Sequence, residues 1–189
     1  SGIRSHYQRD FDRLIFSSAF RRLQSKTQVF PLPGSTFVHN RLTHSLEVAS
    51  VGRSSGSMAG SYISQSYNLK EDHRNFYRED LSNIIAAACL AHDIGNPAFG
   101  HSGEDAISNY FIQSVDVNIE GQALKSFFSE AEWSDLTQFE GNANALRVLA
   151  QDFKGKAPGG MGLTIATLAS ILKYPCLLYT SDAADDLLC

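Results

Sequence analysis

The run LSNIIAAACLA, Leu81 to Ala91, is nearly all apolar and closes on His92-Asp93 and then Ile94-Gly95-Asn96-Pro97. A run of that length predicts a helix rather than a strand, and its lack of a polar face puts it at the centre of the core. Gly95, Pro97 and Gly100 end it, and another helix is predicted to begin near His101. The remaining segments must therefore wrap around this helix. From Gln8 to Gln24, Phe11, Leu14, Ile15, Phe16, Ala19, Phe20 and Leu23 recur at helical spacing and predict one amphipathic helix. A second helix is predicted from about Arg41 to the Tyr67 region, with Gly52, Gly56 and Gly60 permitting close approach. Further helices are expected at Ala123 to Phe128, Glu140 to Phe153 and Leu163 to Lys173. Pro31, Pro33 and Gly34 make Lys26 to Asn40 a loop or short extended piece, long enough to wall a site. The polar stretch NLKEDHRNFYRED reads as a loop in which His73 is exposed. No alternating strand run of useful length occurs, so the fold class is all-α.

The 189 residues, 43% of them hydrophobic, supply apolar material for one sizeable core. There is no uninterrupted apolar run of about 18 residues, and SGIRSHYQRD has no signal-peptide core, so a cytoplasmic protein with no membrane association is expected. The net charge of -4 argues against a broad nucleic-acid-binding face. Arg21, Arg22 and Lys26 form a basic cluster that reads as a solvated helix face in preference to a phosphate site. Cys89, within the apolar helix, reads as a core thiol of a reduced protein.

His92 and Asp93 fall where a helix stops, so their side chains need not diverge by a full helical step, and both can reach one cation. His44, in the first turns of the second helix, would complete the grip from another element. The competing interpretation makes His92 a helix C-terminal partner and Asp93 a turn residue. His101 and Glu104, three apart at a helix start, share a face, and the carboxylate can orient the imidazole for proton transfer or for steering a water. The alternative there is an N-terminal cap built from His101, Ser102 and Glu104.

Together, RDFDRLIFSSAFRRLQSKTQVFPL, RLTHSLEVA, AACLAHDIGNPAFGHSGE and FEGNANALR closely resemble the deoxynucleoside triphosphate triphosphohydrolases, the dGTPase-like branch of the HD superfamily. The resemblance extends from about residue 4 to 175. It implies an HD-domain helical bundle, incomplete at its C-terminus, and metal-dependent hydrolysis of a dNTP, dGTP foremost, to deoxynucleoside and tripolyphosphate. By position, His44, His92 and Asp93 match the first three of four metal ligands. The fourth, an aspartate on a later helix, has no counterpart. His101 and Glu104 match the catalytic histidine and acid, and Gln28 matches a position near the sugar. Arg41, one turn before His44, is placed to supply positive charge to the triphosphate, the alternative being a pairing with Glu47 or another surface acid. The mixed nitrogen and oxygen ligand set suits Mn²⁺, Mg²⁺, Fe²⁺ or Co²⁺. A homo-oligomer and contact with single-stranded DNA are further implications of the family.

Other expectations compete. A different HD phosphohydrolase, acting on a cyclic nucleotide or a guanosine polyphosphate, would share the metal ligands but not the HSGE and FEGNA segments. A non-catalytic dNTP-binding subunit would hold the ligand without turnover. Residues 176–189, CLLYTSDAADDLLC, hold three of the 20 acidic residues and none of the 16 basic ones. They resemble a translated sequencing-library adapter, so residues 1–175 are expected to be the N-terminal part of the triphosphohydrolase domain and 176–189 a non-native tail. Such a fragment, lacking a metal ligand, is expected to be inactive.

Overall fold

The computed structural model describes residues 4–27, 40–152 and 158–172. The predicted central helix is α5 in the chain order α1 (His6–Ile15), α2 (Ser18–Arg22), α3 (Arg41–Ser66), α4 (Glu71–Asn75) and α5 (Leu81–Ala91). After it come α6 (Gly100–Gln113), α7 (Glu130–Thr137), α8 (Gly141–Ala150) and α9 (Ile165–Ile171). The all-α class holds. A hairpin of two-residue strands, Asn118–Ile119 and Gln122–Ala123, is the sole sheet among the described residues. The expected helix at Ala123 to Phe128 is that hairpin's second strand followed by a 3-10 turn, Leu124–Phe127. The turn residues Glu120 and Gly121 both have positive φ, the geometry that matches strand twist in a tight hairpin.

Helix α5 packs against α3, α1 and α9. Its Ala87, Leu90 and Ala91 join Leu14, Phe20, Leu23, Ala49, Ile94, Ala145 and Leu149 in one buried cluster. Helix α3 meets α5 through small residues. A Cβ on Gly56 would lie 2.9 Å from the Ser82 Cα, and one on Gly60 would overlap the Tyr77 carbonyl oxygen. Those absent methyl groups bring the two helix axes close.

Three further segments depart from the sequence-based expectation. The predicted helix over Gln8 to Gln24 breaks at Phe16-Ser17, because the Ser17 Oγ accepts from the Phe20 amide and starts a new helix. Phe20 is thereby buried while Phe16 is left exposed. The polar stretch before Leu81 is not a loop but α4 and a π-turn, Phe76–Asp80, leading directly into α5. Glu71 and Asp72 at its start and Arg74 at its end suit the helix dipole, and His73 is exposed as expected. Helix α7 was not anticipated, although Ser129 and Glu132 form a full capping box. It covers Trp133, which packs on Phe111 and Phe128.

The C-terminal part is tied back to α1 by Arg13, which donates to the Gly162 carbonyl, and by a buried carboxylate. Asp10 of α1, fully buried, accepts from the Thr164 amide (2.9 Å), the Thr164 hydroxyl (2.7 Å) and the Thr167 hydroxyl (2.9 Å). The start of α9 is thus pinned to α1. Residues 173–189, including the adapter-like tail, lie outside the described residues.

Candidate metal centre and active site

Helix α3 begins at Arg41 with Asn40 as its cap, accepting from the Thr43 amide at 2.9 Å, and this fixes His44 one turn in. Helix α5 ends at Ala91, and the turn that follows carries His92 and Asp93 toward α3. One candidate ligand atom from each of His44, His92 and Asp93 lies within 4.8 Å of the other two. The imidazole centroids are 5.4 Å apart and inclined by 63°, so the rings converge without stacking. His92 Nδ1 is 2.7 Å from the Cys89 carbonyl oxygen, which can only accept. Nδ1 therefore carries the proton, leaving the lone pair on Nε2, 3.4 Å from Asp93 Oδ1. Burial holds the His44 imidazole below its ordinary pKa, with Asp93 and Glu47 opposing the effect and His92 and Arg41 adding to it. A neutral ring is what a cation needs. Two imidazoles and a carboxylate, with one tautomer set by a backbone carbonyl, fit a divalent cation of the mixed-ligand kind.

Both oxygens of Asp93 are held. Arg41 Nη1 donates to Oδ2 at 2.8 Å, and Asn96 Nδ2 donates to Oδ1 at 2.8 Å. Arg41 is buried, and its Nε has no hydrogen-bond partner. Arg41 thus faces the carboxylate of a candidate ligand, and neither Glu47 nor a surface acid takes up its Nη1. Lys26, read from sequence as part of a solvated basic face, turns inward and donates to the Asn96 carbonyl at 2.7 Å. Its pKa is lowered by burial first and then by Arg41. Arg21 and Arg22 are exposed as expected. Gln28 falls outside the described residues. The predicted loop around it lies outside them too, apart from Lys26, Thr27 and Asn40, and Thr27 and Asn40 form an isolated antiparallel bridge.

His101 and Glu104 form the expected unit, with Nδ1 2.9 Å from Oε2. They do not cap α6: the cap position is Phe99, in the left-handed region, with no side-chain hydrogen bond. The Glu104 carboxylate instead reaches α8, where Oε1 accepts from the Gly141 amide at 2.8 Å. Asn144 of α8 donates to the Gly95 carbonyl at 2.8 Å. Asn96, which the sequence presents like Asn142 as a turn or cap residue, instead holds Asp93, and Asn144 carries a site contact that spacing alone does not reveal. The traceable signal was the FEGNANA segment, whose role in the fold only its neighbours disclose.

The HD domain family matches residues 41–138, just over half of the chain and the stretch that carries all three candidate ligands and the His101–Glu104 pair. The chain belongs to the HD domain family. Among curated relatives, a deoxyguanosinetriphosphate triphosphohydrolase-like protein of Pseudomonas aeruginosa (strain LESB58) is 50% identical over 172 residues, 91% of this chain and 37% of the relative. One of the same name from Synechocystis is 46% identical, over 91% of this chain and 38% of the relative. The deoxyguanosinetriphosphate triphosphohydrolase of Yersinia enterocolitica is 38% identical, over 93% of this chain and 37% of the relative. This HD domain chain therefore spans little more than a third of the length of these relatives. None of the helices among its described residues is long and apolar enough to cross a membrane.

Proposed function

We propose that this chain is the part of a deoxynucleoside triphosphate triphosphohydrolase that supplies three metal ligands and the proton-transfer pair, with dGTP as the expected substrate. The observation that carries the reading is the convergence of His44, His92 and Asp93 within 4.8 Å, from helix α3 and the turn after α5. The names of the relatives, deoxyguanosinetriphosphate triphosphohydrolase and proteins called like it, support a deoxynucleoside triphosphate as substrate. A divalent cation at these residues would supply Lewis-acid polarisation of a phosphate oxygen.

The chain's own groups do the rest. Water attacks the α-phosphorus in line with the 5'-oxygen and gives up one proton to solvent, the bond from phosphorus to the 5'-oxygen breaks, and the deoxynucleoside departs while the tripolyphosphate keeps the oxygen of the water. His101, held through Nδ1 by Glu104, presents Nε2 as the proton donor to the departing 5'-oxygen. Arg41, with Nη1 on Asp93 and Nε unpartnered, offers charge to the phosphates beside the metal ligands. Gln28 is assigned to the sugar on resemblance alone. The fourth metal ligand lies in none of the residues assigned here, so the reading includes little activity for these residues by themselves. Residues 176–189 stand outside the assigned domain.

The test is to incubate a chain of the relatives' full length, carrying these residues, with dGTP and Mn²⁺ and to resolve the products. Tripolyphosphate and deoxyguanosine in equal amounts support the reading. Binding of dGTP without turnover would replace it with a dNTP-binding subunit. Hydrolysis of a cyclic nucleotide or guanosine polyphosphate in place of dGTP would replace it with a different HD phosphohydrolase.

A further inference from the structure

Gly141, the first residue of α8, touches both halves of the site. Its amide donates to Glu104 Oε1 at 2.8 Å, and Glu104 Oε2 holds His101. On its other side, where a Cβ would sit, lies the Asn96 Oδ1, close enough that the two would overlap. The Glu104 Oε1 would be 2.6 Å from that same Cβ. The Asn96 amide nitrogen meanwhile holds Asp93 Oδ1. One backbone position therefore sets the carboxylate of the proton-transfer pair and confines the side chain that orients a metal ligand.

We propose that Gly141 is a positioning residue that couples the metal centre to the His101–Glu104 pair, its amide orienting Glu104 and its missing side chain making room for Asn96 against Asp93. The inference rests on the metal-centre reading above. The crowded atoms decide what substitution does. Both Asn96 Oδ1 and Glu104 Oε1 are ends of movable side chains and not backbone, so a methyl group at position 141 displaces these side chains while leaving α8 in place. Gly141 is buried and its φ is not in the left-handed region, so backbone freedom is not why glycine is needed. The companion bond from Asn144 to the Gly95 carbonyl fixes α8 against the same turn and gives the lever its fulcrum.

The experiment uses the full chain, without nucleotide. Mn²⁺ affinity is read from the paramagnetic resonance of free Mn²⁺, the midpoint of His101 titration from its Cε1 resonance, and folding from circular dichroism. In Gly141→Ala, Mn²⁺ affinity is expected to fall about tenfold or more. The His101 midpoint is expected to move toward that of Glu104→Gln, with helicity unchanged. Asn96→Ala is expected to lower Mn²⁺ affinity comparably and to leave the His101 midpoint where it was. Folded Gly141→Ala with both readouts unchanged overturns the proposal, as does movement of only one. If Gly141→Ala does not fold, the double variant Asn96→Ala/Gly141→Ala removes the larger overlap, and an unmoved His101 midpoint in it overturns the coupling. Absence of Mn²⁺ binding by the parent chain would count against the metal centre itself, and the His101 midpoint would still decide whether Gly141 sets Glu104.

Discussion

Arg41 Nη1 lies 2.8 Å from Asp93 Oδ2, and both side chains are less than a tenth exposed. The pair joins the first turn of α3 to the turn after α5. Removing one partner strands a buried charge, which costs far more than the pair contributes relative to apolar replacements. Arg41→Met is therefore expected to destabilise the metal-free chain by about 3 to 5 kcal/mol in urea unfolding. Mn²⁺ should restore part of that loss by neutralising Asp93. A loss below about 1 kcal/mol would mean that water reaches Asp93 freely.

Asp10 satisfies three donors at the start of α9 with one carboxylate. Asp10→Ala leaves the two threonine hydroxyls and an amide without their acceptor, a loss of roughly 3 kcal/mol. Hydrogen exchange is expected to quicken over residues 164–171 ahead of the rest. Uniform acceleration across α1, α5 and α9 would show instead that Asp10 supports the whole core.

Gly60 faces the Tyr77 carbonyl, a backbone atom that cannot swing away. Gly60→Ala should cost roughly 1 to 3 kcal/mol through overpacking, despite alanine's better helix propensity. The check is the melting temperature. An unchanged or raised value would indicate that the π-turn at Phe76–Asp80 relaxes at no cost.

The Glu132 carboxylate has a lowered pKa because it accepts from the Ser129 amide, then from the Ser129 hydroxyl. Its folded value lies below the ordinary 4.5, so it stabilises the chain above that value and the contribution disappears as pH falls through the folded pKa. Protection of α7 amides should decline from about pH 5 to 3, and in Glu132→Gln should be weaker at neutral pH and flatter across that range. Trp133, the sole tryptophan, reports the same change by fluorescence. Parallel pH curves for the two chains would remove Glu132 as the cause.

On the proposed reading, in a chain of the relatives' full length, His101→Ala should lower kcat by about 10² to 10⁴ with a smaller change in KM, as expected for a group acting on the departing oxygen. Glu104→Gln should also act mainly on kcat, and it should shift the pH profile. A rise in KM alone in both variants would assign the pair to binding.

Residue order alone points to the all-α class, the buried course of Leu81 to Ala91, and the candidate ligands His44, His92 and Asp93. These rest on periodicity, on an apolar run too long for a strand, and on residue types whose chemistry is narrow. It also carried the family resemblance that the HD domain match bears out. Local competition was harder to read. Ser17 divides the first helix, and α4 forms from a polar stretch, because caps and dipole contacts are worth about as much as the propensities they oppose. Packing, by contrast, governs which groups face one another across distant segments. Lys26 meets Asn96, Arg41 meets Asp93, and Gly141 meets Glu104. No spacing rule relates residues 37 or more positions apart. Those contacts exist because α3 packs closely on α5 through its glycines and α8 meets Gly95 of the turn after α5, which brings these segments together around one turn.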